Sequence, residues 1–105
     1  MRKDVGANWR GVLLACGKCS RKLDGGFGPD GGQSLAKALR KASGGGTKRK
    51  APLGVVEVKC LGLCPKRAVV LVDAARPDRW HLVQPGRGAD GLLEELGYGE
   101  VVVGR

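Results

Sequence analysis

Four cysteines supply the chemistry available to this sequence, and they come in two pairs, Cys16-Gly17-Lys18-Cys19 and Cys60-Leu61-Gly62-Leu63-Cys64-Pro65. Thiolates are soft ligands and good nucleophiles, so such pairs suit a metal centre or thiol–disulfide exchange. Each pair follows an apolar run: Gly11 to Ala15 before the first, Val55 to Lys59 before the second. If both runs are strands of one sheet, their ends bring four sulfurs to one edge. Buried cysteines acting only as small hydrophobes would have no reason to arrive in pairs at equivalent strand ends.

The remaining elements follow from periodicity and punctuation. Gln33 to Ser43 reads as a helix, with Leu35, Leu39 and Ala42 on one face, Ala38 beside them, and Lys37, Arg40 and Lys41 outward. The glycines from Gly44 stop it. In the second strand, Val56, Val58 and Cys60 share one face, and Val55, Glu57 and Lys59 the other. Ala68 to Val72 is apolar on both faces and reads as a central strand. Arg79 to Gln84 forms a hairpin with it. Ala89 to Leu96 is a short closing helix that buries Leu92, Leu93 and Leu96, and Val101 to Val103 is a short strand or tail. The first Cys pair is expected to end its strand and lead into a flexible glycine-rich loop at 25–32. A mobile basic loop is expected at 47–50. A strand–helix–strand start makes the first two strands parallel, and the whole is an α/β sandwich: a βαβ unit, a β-hairpin and a closing helix.

A chain of 105 residues without internal repeats is expected to be one domain, residues 1–105, with a core at about 11–97 and tails at 1–10 and 98–105. The aromatic residues are Trp9, Phe27, Trp80 and Tyr98, so Val, Leu and Ala must fill the core. No apolar run approaches the ~20 residues of a membrane span, and no secretory leader is visible. The expected setting is cytoplasmic, where paired cysteines favour metal or redox chemistry over structural disulfides. Lys and Arg number 19 against 10 Asp and Glu, a net +9. That suits an acidic partner, protein or nucleic acid.

The pair after the first strand, the helical crossover, and Cys60-x-x-x-Cys64-Pro65 ahead of the apolar strand 68–72 resemble the thioredoxin-like 2Fe-2S ferredoxins. The second motif is the closer match, and the likeness spans roughly residues 11 to 97. The resemblance implies a thioredoxin-like fold and a 2Fe-2S cluster ligated by Cys16, Cys19, Cys60 and Cys64. It also implies one-electron transfer without substrate chemistry, and homodimers. The first pair departs from the family pattern, because many members space those two cysteines further apart. A Cys-x-x-Cys knuckle with glycine also resembles half of a zinc ribbon, so zinc stays open as the metal.

Other readings are weighed on the same residues. Either metal centre is a net anion, and Lys18, Arg21, Lys22, Lys59, Lys66 and Arg67 all lie close in sequence to a cysteine. They would favour the reduced form of a cluster and form a rim for an acidic redox partner. A thioredoxin-like dithiol at Cys16 and Cys19 wants a helix starting at the motif, and Gly25, Gly26 and Gly28 leave it little room. Pro65 before the third strand favours that reading. A zinc-stabilised nucleic-acid binder is disfavoured: usual knuckles lie ~15–20 residues apart, and the aromatics do not interleave with Lys48-Arg49-Lys50. Gly26-x-Gly28-x-x-Gly31 matches a dinucleotide fingerprint only literally, since Pro29 interrupts it. His81, the only histidine, reads as an ordinary strand residue.

Overall fold

The computed structural model describes residues 4–45, 47–63 and 65–102. The chain is a mixed α/β unit: β1 (Val12–Cys16), α1 (Gly17–Leu23), α2 (Leu35–Ser43), β2 (Gly54–Val58), β3 (Val69–Asp73), β4 (Trp80–Val83), α3 (Ala89–Glu95) and a 3-10 turn at Gly99–Val101. The four strands form one sheet in the order β2-β1-β3-β4. β1 and β2 are parallel, with Cys16 opposite Val58. β1 is antiparallel to β3, and β3 to β4.

The register puts Leu13, Ala15, Val55, Val69, Leu71 and Val83 on one face. These residues are buried together with Leu35, Ala38 and Leu39 of α2 and Leu92 and Leu93 of α3. β3 is buried at every position, as its two-sided apolar sequence requires. On the opposite face Leu14, Val56 and Val58 are half-buried, and Trp80 and Leu82 on the edge strand are exposed.

Several expectations are corrected. The first Cys pair does not simply end a strand: Cys16 is the N-cap of α1, which carries Cys19 in its first turn. The Ser20 hydroxyl donates to the Cys16 carbonyl (3.1 Å), and Asp24 ends the helix in the left-handed conformation that short polar residues tolerate. β2 stops at Val58 rather than Cys60, with Val55 buried and Glu57 on the same face exposed. Arg40 is not outward: it is half-buried and its Nε donates to the Val55 carbonyl (3.1 Å). The glycine-rich loop is no free flap, because Phe27 is buried in the core and exchanges backbone hydrogen bonds with Gln33. Leu96 is half-buried.

The tails also belong to the fold. The Asn8 and Arg10 N–H groups donate to the Arg49 and Pro52 carbonyls. Tyr98, Val101 and Val102 are buried in the core cluster, and Val101 lies in a 3-10 turn rather than a strand. Val103 lies outside the described residues.

Tyr98 reaches into the sheet, where its hydroxyl donates to Oδ1 of the buried Asp73 (3.0 Å), which also accepts from the Ala75 N–H. Burial first, then the hydrogen bond and charge of Asp73, push the Tyr98 pKa up to about 12. Folded Tyr98 therefore keeps its proton after the unfolded chain begins to ionise near 10.0. The stability it contributes is present below that pH and is lost as pH climbs toward the folded value. Tyr98→Phe is expected to cost about 1–3 kcal/mol at neutral pH, because Asp73 keeps its burial with one donor fewer. It should also lessen the alkaline loss of stability. Urea unfolding of both proteins between neutral pH and pH ~11 checks this; equal alkaline losses would contradict the role given to Tyr98.

Candidate functional site

The parallel pairing of β1 and β2 ends both strands at the same edge. Cys16 closes β1, and Cys60 lies two residues beyond the end of β2. The Lys18 N–H donates to the Lys59 carbonyl (3.0 Å), tying the start of α1 to the chain that leaves β2. The loop after Cys60 then turns back over the first pair. Its Leu61 N–H reaches the Cys16 sulfur, and the Cys19 thiol donates to the Leu63 carbonyl (3.8 Å). Gly62 takes a φ of 86° at the turn, a conformation that favours glycine, and its N–H donates to Cys60 Sγ (3.3 Å).

Cys16 and Cys19 are buried side by side, and Cys60 is exposed. Burial alone would raise the Cys16 thiol. The Cys19 and Leu61 N–H groups, the Cys19 thiol and the Lys18 N–H outweigh it, so Cys16 lies below the ordinary thiol value. The lowering at Cys16 thus comes from backbone N–H groups together with the Cys19 thiol. Lys18, Arg21, Lys22, Lys59, Lys66 and Arg67 are all exposed, so their contribution is long-range.

For a sulfur-ligated metal or cluster, the donor chemistry fits: the ligands are soft, and N–H groups are directed at Cys16 and Cys60. The grouping is incomplete. Among the described residues no three Cys, His, Asp or Glu side chains stand together as a metal site, and Cys64 lies outside the described residues. The structure brings Cys16 and Cys19 together and lays the second cysteine loop on them. It does not place Cys60 in the same cluster. His81 is half-buried in the edge strand β4.

Beside Cys19 a cleft of about 580 Å³ opens between α1 and residues 65–68, with Lys22, Lys66 and Arg67 in its walls. Sequence reasoning found these cations but not the cleft, which needs α1 as one wall. Glu57 was also missed. Its carboxylate packs against the backbone at Gly17, a contact between residues 40 positions apart that no local pattern signals. Among the described residues, no helix is long and apolar enough to cross a membrane.

Comparisons of this chain with protein-family models, with curated proteins and with solved structures gave no match.

The junction has no room for a side chain at Gly17. A Cβ there would stand 2.9 Å from Glu57 Oε1 and 3.0 Å from the Val58 carbonyl. Gly17→Ala is expected to destabilise the fold by about 1–3 kcal/mol through overpacking. In α3 a Cβ at Gly91 meets nothing, so Gly91→Ala should stabilise by about 0.5–1 kcal/mol. Urea midpoints measure both. In metal-free reduced protein, peptide mapping after brief alkylation should find Cys60 modified ahead of Cys16 and Cys19.

Proposed function

We propose that this protein is a small electron carrier of thioredoxin-like fold that holds a 2Fe-2S cluster on Cys16, Cys19, Cys60 and Cys64. One observation carries the reading: the loop from Cys60 to Leu63 folds onto the Cys16–Cys19 turn through contacts to both sulfurs. A loop with no role in common with that turn has no reason to contact both of its thiols. The strand order β2-β1-β3-β4, with a parallel first pair, an antiparallel hairpin and a closing helix, supports the thioredoxin-like assignment.

When bound, the cluster supplies reversible one-electron chemistry. The chain itself would supply four sulfurs, N–H groups that favour the anionic form of Cys16, and burial of Cys16 and Cys19. The basic cleft beside Cys19 suits an acidic redox partner, whose docking rate would fall as salt rises. The protein then has no substrate of its own and is not an enzyme.

A second reading is favoured by a specific observation. α1 begins at the Cys16-Gly17-Lys18-Cys19 motif with Cys16 as its N-cap, the placement that activates a dithiol for exchange. The glycines downstream leave the helix its two turns after all. This reading gives Cys60 and Cys64 no part.

Metal and sulfide analysis of protein purified without oxygen tests the proposal. About two irons and two sulfides per chain are expected, with visible colour, by the composition of a 2Fe-2S cluster. A colourless protein with one zinc would assign the site to structural zinc, and one without metal would leave the dithiol. For the cleft, Lys66→Glu with Arg67→Glu should slow reduction of the holoprotein by an acidic electron donor about tenfold at low salt, and much less at high salt; stopped-flow kinetics measure it.

A further inference from the structure

Lys48-Arg49-Lys50 is a basic run that electron carriage leaves unused. In the fold it does not stand alone. The Trp9 Nε1–H donates to the Lys48 carbonyl (2.8 Å), and the Asn8 amide side chain donates to the Lys50 carbonyl (3.3 Å). These bonds use backbone carbonyls and leave the ammonium groups free of that role. Lys48 and Lys50 are exposed, and among the described residues neither is in an ion pair.

The loop borders an open pocket of about 420 Å³ against the end of α2. Arg40, Thr47, Lys48 and Lys50 line it, and no carboxylate does. Arg40 is held at this wall by its bond to Val55. Trp9 packs on Gly54, where any Cβ would run into the indole, and stays partly open to solvent. The indole thus sits against the backbone of the basic loop, although Trp9 lies 39 residues from Lys48 in the chain. The separation along the sequence that argued against nucleic acid is removed by the fold.

We propose that this pocket and Trp9 form a binding surface for single-stranded nucleic acid. Backbone phosphates would engage Arg40, Lys48 and Lys50, and an unpaired base would lie against the indole. Cations that track a backbone, next to an aromatic platform, are the two elements that such binding combines. An acidic protein surface would use the cations and leave Trp9 idle. The net charge of +9 adds long-range attraction. The surface stands at the entry to β1, and the cysteines stand at its exit. Nothing in this proposal depends on the metal.

The test is titration of the purified protein, carrying Trp80→Phe so that Trp9 is the sole emitting indole, with a labelled oligothymidylate of ~15 nucleotides, a length within the site sizes of single-strand binders. Binding with quenching of Trp9 is expected. The logarithm of affinity should fall with the logarithm of salt at a slope of about −2, as three phosphate contacts imply. Lys48→Ala with Lys50→Ala should weaken binding roughly twentyfold at ~0.1 M salt, by the same relation for two lost contacts. Lys22→Ala with Lys66→Ala, which removes equal charge at the cysteine end, should change affinity less than about threefold. Equal losses in the two doubles would show that net charge alone acts and would overturn the proposal. So would absence of binding, binding without quenching, or equal competition by polyglutamate. Iron content is unaffected by any of these outcomes, so the electron-carrier reading stands or falls separately.

Discussion

The parallel pairing of β1 with β2 is the constraint on which the site depends. Parallel neighbours must end at the same edge of the sheet, so the residues that follow both strands are thrown together. Cys16 lies opposite Val58, and the chain leaving β2 is held to the start of α1 by the Lys18–Lys59 hydrogen bond. The loop from Cys60 can then only turn back over Cys16 and Cys19. The crossover that makes the pair parallel, α1 and α2 in succession, is also what supplies the N-cap environment of Cys16. Fold and thiol chemistry share one cause.

Backbone groups set the local electrostatics. Cys16 is buried, which alone disfavours a thiolate, yet N–H groups from α1 and from Leu61 reverse the balance. The nearby lysines and arginines are exposed, so water screens them and they act over distance. Tyr98 and Asp73 show the complementary case, a buried carboxylate kept in place by its own donors.

How much of this was legible in the sequence depends on whether the signal was local. β3 could be read because Val69 to Val72 is apolar on both faces. α2 could be read because Leu35 and Leu39 recur at helical spacing ahead of Gly44. α1 could not: it is two turns long, opens on Gly17, and has only Cys19 and Leu23 as an apolar pair, too little for a periodic stripe. The terminal segments read as tails because their partners are remote, Asp73 for Tyr98 and the 48–52 segment for residues 8–10. The spacing of the cysteines pointed to the edge where Cys16 and Cys19 lie together under the loop that follows Cys60. It did not announce that Cys19 would be buried while Cys60 stayed exposed, since that follows from α1. The cleft beside Cys19 was invisible for the same reason, and the pairing of Trp9 with the basic loop because it joins residues 39 positions apart.

The central claim is that one centre spans both cysteine loops. The most direct measurement is the visible absorption and iron content of four single variants purified without oxygen, each cysteine replaced in turn by serine. Loss or strong weakening of colour in all four, Cys60→Ser and Cys64→Ser included, is the result this account predicts. A protein that keeps its metal and colour when Cys60 or Cys64 is replaced, and loses function only with Cys16 or Cys19, would contradict it.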